Sequence, residues 1–288
     1  MMPTKKPEWL KVKFRGNKER QEVEGILKKF SLNTVCEQAD CPNRMECYAG
    51  KTATFMIMGR ICTRNCQFCA VEKANTQPLD DNEPQRVAEA VKSMGLKHVV
   101  VTSVTRDDLE DGGASHFVRV IESIKACTPQ VTIEVLIPDF QGDKAALSKV
   151  MAAQPDIINH NVETVPHLYD KVRPMAIYKR SLDVIGFASN NDTGILTKSG
   201  IMVGMGEEQK EVLAVMQDLR DVGCRLLTIG QYLPPSKAHY QLQEYVHPDI
   251  FEQYKKAAMK MGFVHAACGP LVRSSYHAAD AYDAIQNV

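Results

Sequence analysis

The chain has 288 residues, 44% of them hydrophobic and 24% charged, the balance of a globular protein long enough for one large α/β domain or two ordinary ones. Lys+Arg and Asp+Glu stand equal at 35 each, so no overall field draws the chain to nucleic acid or to anionic lipid. No apolar run approaches the roughly 18 residues of a membrane span. The start, "MMPTKKPEWLKVKF", lacks the apolar centre of a signal peptide and is too short and Ser-poor for a transit peptide, so the expected location is cytoplasmic.

Residues 1–50 read as an irregular lead-in: a basic, Trp-bearing opening, a helical stretch "NKERQEVEGILKKF" (17–30), then three cysteines in "CEQADCPNRMEC" (36–47). From "TATFMIMG" (52–59) onward, β-like apolar runs alternate with helical periodicity. The strand candidates are 53–58, 98–104, 131–137, 156–162, 195–203 and 225–233. Helix-period segments lie between them, among them "EPQRVAEAVKSMG" (83–95), with Pro84 near its start and Gly95 at its end. "ASHFVRVIESIKAC", "DKAALSKVMAA" and "EEQKEVLAVMQDLRDVG" repeat the pattern. Strands joined by helical crossovers pair in parallel, and right-handed crossovers curl such a sheet toward a barrel. Six units fall short of the eight that close one. The expected architecture is α/β, a partial (β/α)6 TIM-like barrel over 51–233, with an N-terminal extension (1–50) and a C-terminal extension (234–288) covering its mouth, all one structural unit.

Nine cysteines, six of them between positions 36 and 69, are more consistent with metal or redox chemistry than with disulfides in a reducing compartment. Cys127 and Cys224 stand apart and read as small buried hydrophobes. "CTRNCQFC" (62–69) holds three cysteines in the loop that leaves the first barrel strand, the end where barrels gather their chemistry. Structural zinc wants four closed ligands. Three thiolates on a four-iron cubane leave one iron open, and an open metal position is a substrate position. Two duller readings stand beside this one: the two trios sharing zinc, and a ferredoxin-like electron carrier. Eight scattered histidines, unpaired with acids or cysteines at helical spacing, make no mononuclear site.

"CTRNCQFC" resembles the CxxxCxΦC signature of the radical S-adenosylmethionine enzymes, with Phe68 as the aromatic. The C-x4-C-x5-C spacing of 36–47 and "GPLVRSSYHA" (269–278) resemble the auxiliary-cluster and RSSY motifs of one family within that group, the lipoyl synthases. The likeness runs from "KPEWLKVK" through "VTSVTRDDLEDGGA", "NHNVETV", "VRP" and "GQYLPPS". It implies two [4Fe-4S] clusters and S-adenosylmethionine as cofactors. Cys62, Cys66 and Cys69 would hold the cluster that cleaves S-adenosylmethionine; Cys36, Cys41 and Cys47 would hold an auxiliary cluster dismantled to supply sulfur. The implied reaction inserts two sulfur atoms, at C6 and C8, into an octanoyl chain on a lysine of a lipoyl-carrier protein, with a ferredoxin or flavodoxin as electron donor. Another two-cluster enzyme of the same superfamily, using its second cluster for electron transfer or anchoring, is the neighbouring reading.

Two candidates could close the auxiliary cluster. Soft-ligand chemistry nominates Cys268; the resemblance nominates Ser275, an oxygen donor that would release iron once sulfur begins to leave. For S-adenosylmethionine, "NHNVETV" places Asn159, Asn161 and Glu163 on one face by the strand period, with Asn161 and Glu163 the expected contacts. "TSVTRDDLEDGG" lacks the GGE tripeptide that many relatives carry there, and Thr102 or Ser103 substitute. "GIMVGMGE" (200–207) resembles the stretch that lies along the adenine, its glycines allowing close backbone approach. From it and from "GQYLPPS", Gly204 and Tyr232 complete the expected contacts. Arg173 and Arg273 are candidate carboxylate or cluster partners, although a surface ion pair is the commoner fate of an arginine.

Overall fold

The structure is a computed structural model that describes residues 5–11, 18–38, 41, 43–49, 53–191 and 194–275. Its sheet has eight strands in chain order: β1 (Asn33–Thr34), β2 (Thr54–Ile57), β3 (His98–Ser103), β4 (Thr132–Leu136), β5 (Ile157–Asn159), β6 (Leu196–Val203), β7 (Leu226–Gln231) and β8 (His265–Gly269). β1 pairs antiparallel to β2, and every later neighbour pairs in parallel. The order leaves the sheet open between β1 and β8 among the described residues.

Among the described residues a 3-10 turn (Glu8–Leu10) and three α-helical pieces precede the barrel: α1 (Lys18–Lys29), α2 (Val35–Gln38) and α3 (Arg44–Ala49). The crossovers are α4 (Glu83–Met94), α5 (Ala114–Cys127), α6 (Lys144–Ala152), the pair α7 (Tyr169–Val172) and α8 (Tyr178–Ser189), α9 (Gln209–Asp221) and α10 (Pro248–Lys260). α4 begins with Pro84 in its first turn and stops at Gly95, whose φ of 64° is the left-handed cap that glycine adopts freely. Val87, Val91, Phe117, Ile121, Val150 and Leu219 on these helices are fully buried against the sheet. Each such side chain contributes roughly 1.5–3 kcal/mol relative to exposure. Strands covered on one face by helices and on the other by the barrel interior read as continuous apolar runs, and β2 and β7 are buried along their whole length.

All six expected strands form, at boundaries within about a residue or two except β5, which stops at Asn159. Of the 234–288 segment, expected as an extension covering the mouth, residues 234–275 are described. They contribute α10 and β8, and β8 adds a seventh parallel strand in register Ile229↔Cys268. "HAACG" is too rich in small residues to read as a strand alone; pairing with β7 makes it one. Beyond β8 the chain turns through a Val272 N–H to Gly269 carbonyl bond of 3.0 Å and runs back into the barrel. Ile201 and Ile229 pack with the α9 and α10 core, so by strand alternation Gly200, Thr228 and Gly230 face the other way, into the lumen. Residue 271 to 275 occupies that lumen: a Cβ on Gly230 would meet the Val272 carbonyl oxygen, and one on Gly200 would meet Ser274 Oγ. Tyr276 of the RSSY motif, the start of the 17–30 helical stretch and the end of "KPEWLKVK" lie outside the described residues. Among the described residues no helix is long and apolar enough to cross a membrane.

Candidate active site

The loop after β2 begins with two left-handed residues, Met58 at φ 66° and Gly59 at φ 92°, which swing the chain across the C-terminal edge of the sheet. A methionine in that region is strained, and Glu83 holds it there: Glu83 Oε2 accepts from the Met58 N–H at 2.8 Å and pairs with His116 Nε2 at 2.7 Å. Cys62, Cys66 and Cys69 follow, all unpaired thiols and all half-buried. Backbone bonds anchor the loop, Cys62 N–H to Glu72 O at 2.9 Å and Gln67 N–H to Val172 O at 2.8 Å. Arg64, between the first two cysteines, turns inward. Its guanidinium donates to both oxygens of Asp107 (2.7 and 2.9 Å) and to Asp139 Oδ1 (2.5 Å), clamping the loop to those after β3 and β4. Burial alone would raise the Asp139 carboxyl, but Arg64 brings it down to about 2.

Burial pushes the Cys69 thiol up to about 12, and the neighbouring Cys66, Cys62 and Glu163 add to it. Cys66 is also raised by burial, with Arg173 pulling the other way and Glu163 and Cys62 reinforcing. These thiols therefore keep their protons until a cation displaces them, which is how a thiolate site loads metal.

The other trio sits at the start of the barrel. Cys36 lies in α2, Cys47 in α3 and Cys41 between them, with the Cys41 N–H on Cys36 O (3.1 Å) and the Cys47 N–H on Asn43 O (2.9 Å). The three line one cavity with Asn43, Ala53, Thr54, Arg273 and Ser275. Ser275 Oγ accepts from Thr54 Oγ1 at 2.8 Å, and Asn43 Nδ2 donates to the Leu271 carbonyl at 2.6 Å, tying the two ends of the chain together. Burial, then Cys36 and Cys41, push the Cys47 thiol up to about 12. Cys268 is absent from this lining; it packs on the core of α9 and α10. Among the described residues no three His, Cys, Asp or Glu side chains close on a single metal-ion position. The donor set, three soft sulfurs and one oxygen around a cavity, fits a polynuclear iron–sulfur group.

The S-adenosylmethionine candidates divide. Ser103, at the C-terminal end of β3, has a buried Oγ with no partner, the kind of orphan a bound ligand satisfies. Asn161 and Glu163 are brought together directly: Asn161 Nδ2 donates to Glu163 Oε1 at 3.1 Å. They do not share a strand face, because Glu163 takes φ 67° and only an isolated bridge to Ile201 continues the pairing. Burial raises the Glu163 carboxyl against the pull of Arg173 and Asn161. Asn159 instead joins a buried network, donating at 2.9 Å to Glu134, which also holds Lys198 Nζ at 2.9 Å. Thr102 Oγ1 is spent on the Leu136 carbonyl at 2.9 Å. Gly204 packs closely, its missing Cβ occupied by Gln231 Nε2 and the Glu244 carbonyl, and its N–H is taken by Glu207 at 2.5 Å. Tyr232 is buried in the core with its hydroxyl on the Tyr240 carbonyl at 2.7 Å.

Arg173 is no surface cation: only 8% exposed, it donates to the carbonyls of Asn161 and Val162 at 3.0 Å, and its Nε has no partner. Sequence reasoning passed over Arg64, Asp107, Asp139, Thr54, Asn43 and Ser274. A charged residue inside a cysteine loop is the one local hint that Arg64 offered; the others acquire their roles from partners far along the chain.

An open parallel barrel with a three-cysteine loop on its first parallel strand defines a class of protein, and the Radical SAM superfamily profile matches residues 56–219. The same fold occurs in methylornithine synthase (TM-score 0.58, 14% identity, 88% of this chain and 76% of that one) and in Streptococcus suis SuiB bound to S-adenosylmethionine (TM-score 0.60, 10% identity, 86% and 60%). Proteins named lipoyl synthase match almost end to end. The one from Caldanaerobacter subterraneus subsp. tengcongensis is 59% identical over 277 residues, 96% of this chain and 97% of that one; the one from Caldicellulosiruptor saccharolyticus is 57% identical over 280 residues, 97% and 98%. The chain belongs to the lipoyl synthase family.

Proposed function

We propose that this chain inserts two sulfur atoms, at C6 and C8, into an octanoyl group amide-linked to a lysine of a lipoyl-carrier protein. The observation that carries this reading is the placement of residues 271–275 inside the barrel, with Ser275 on the cavity of the Cys36–Cys41–Cys47 trio and Ser274 on Asn161, whose partner Glu163 acts on Cys66 of the other trio. When bound, the two clusters and S-adenosylmethionine supply the radical that removes hydrogen from the octanoyl carbons and the sulfur that replaces it.

The residues do the holding. Cys62, Cys66 and Cys69 would hold one [4Fe-4S] cluster, and the Arg64–Asp107–Asp139 clamp ties their loop to those after β3 and β4. Ser103, Asn161, Glu163 and Arg173 present donors and acceptors to S-adenosylmethionine beside it, while Thr102, Gly204 and Tyr232 shape the walls. Cys36, Cys41 and Cys47 hold the auxiliary cluster. Ser275 is the fourth donor in preference to Cys268, since Ser275 lines that cavity and Cys268 does not. An oxygen is harder than a thiolate and less matched to iron, as suits a ligand that must let go.

We read residues 1–50, 51–233 and 234–288 as one unit, supported by the Asn43–Leu271 and Thr54–Ser275 bonds between segments. The acyl chain enters by the open side of the barrel, where an octanoylated lipoyl-carrier protein docks and a ferredoxin or flavodoxin delivers electrons. The test is anaerobically reconstituted protein with an octanoyl-lysine peptide, S-adenosylmethionine and a strong reductant. Mass spectra should show 5′-deoxyadenosine and a product carrying two added sulfurs; deoxyadenosine without sulfur in the product would overturn the reading.

A further inference from the structure

Ser274 and Ser275 point to different sites. Ser275 lines the auxiliary cavity and takes the Thr54 hydrogen bond at 2.8 Å, and Arg273 lines the same cavity. Ser274 turns the other way: its Oγ donates to Asn161 Oδ1 at 2.7 Å, and Asn161 Nδ2 passes the connection to Glu163 Oε1 at 3.1 Å. Gly200 leaves the space this requires, since a Cβ there would stand 2.8 Å from Asn161 Oδ1 and 3.0 Å from Ser274 Oγ. The lumen side of Gly230 is filled by the Val272 carbonyl, so the segment has little slack beneath it. Consecutive Cα atoms are tied at about 3.8 Å. A shift of Ser275 by an ångström or two therefore moves its neighbour, and a hydrogen bond of 2.7 Å stretched that far is lost.

We propose that Ser274 is a positioning residue that couples the two sites: while Ser275 is held at the auxiliary cavity, Ser274 fixes Asn161, and through it Glu163, in the orientation that binds S-adenosylmethionine. Release of Ser275 loosens that hold, so the cofactor binds tightest when the sulfur-bearing site is closed. This rests on the reading that Asn161 and Glu163 face S-adenosylmethionine. The orientation of the Asn161 amide follows from the network, since its oxygen meets a hydroxyl donor and its nitrogen a carboxylate.

The experiment is equilibrium dialysis of radiolabelled S-adenosylmethionine against anaerobic holoprotein, with iron and sulfide content measured on every sample. Ser274→Ala and Ser275→Ala each weaken binding by about three- to tenfold, the scale of one hydrogen bond, and the double variant is no weaker than the worse single. Wild-type affinity in Ser274→Ala, or losses that multiply in the double variant, would overturn the coupling. Asn161→Ala separates the two readings. If it binds like wild type, the assignment of the cofactor site fails; if it weakens binding and Ser274→Ala does not, only the coupling fails.

Discussion

Gly230 and Val272 meet where no side chain can stand: a Cβ on Gly230 would lie 2.1 Å from the Val272 carbonyl oxygen. The strand position is ordinary in conformation, so the constraint is contact alone. Gly230→Ala should push residues 271–275 out of the lumen and Ser275 out of the auxiliary cavity. Anaerobic reconstitution of that variant should give about four irons per chain in place of about eight, with the far-ultraviolet dichroism unchanged. Gly25→Ala is the control; a Cβ there meets nothing within 4 Å, and this helical site should gain about 0.5–1 kcal/mol with full iron content.

The two cysteine trios should be separable. Cys36→Ala should lose the auxiliary iron and keep a reducible cluster whose electron paramagnetic resonance signal still shifts on addition of S-adenosylmethionine. Cys62→Ala should keep about half the iron and show no such shift. A single metal centre shared by both trios would fail together in either variant.

Asp139 is fully buried and bonds Arg64 at 2.5 Å and Arg180 at 3.3 Å. Removing its charge leaves two guanidinium groups short of a partner. Asp139→Asn should lower the unfolding free energy by about 3 kcal/mol, read from urea titration. Amide exchange across 62–69 should accelerate in the same variant, because the clamp on that loop is what the carboxylate supplies.

Two buried groups, His160 and Glu134, contribute to the acid limb of stability alongside Asp139. Burial, helped by the Arg173 charge, pulls His160 from 6.5 to about 4, and its ring is satisfied as neutral imidazole by the Ile137 carbonyl (2.9 Å) and Ser181 (3.0 Å). The unfolded chain binds that proton more readily, so stability falls as pH drops from 6.5 toward 4. Burial alone would raise Glu134, but Lys198 and His98 bring it from 4.5 to about 2. Its contribution is complete above 4.5 and is lost as pH falls toward 2. Each group accounts for something on the order of 3 kcal/mol. Urea unfolding of metal-free protein against pH should show both stages, and His160→Asn should flatten the upper one.

Much of this was legible in the linear order of residues. Spacing alone places Cys62, Cys66 and Cys69 in one loop, and 3.6-residue periodicity with Pro84 and Gly95 marks a helix, because ligand loops and helix faces are built from neighbours in the chain. The six barrel strands announce themselves as short apolar runs because both their faces are covered. β8 escaped this reading because "HAACG" is a strand only against β7, and α8 and α10 were not anticipated as elements.

What only the tertiary structure decided is which distant residues meet. Asn43 holds Leu271 across 228 positions, Ser274 reaches Asn161 across 113, and Arg64 buries itself against aspartates from two other loops. Glycines 200 and 230 look alike in a strand until a returning segment fills the space above them. Local propensity acts over a few residues and is written in the order of the chain. Packing and hydrogen bonding act through space, and they are settled only when the barrel brings its two ends together.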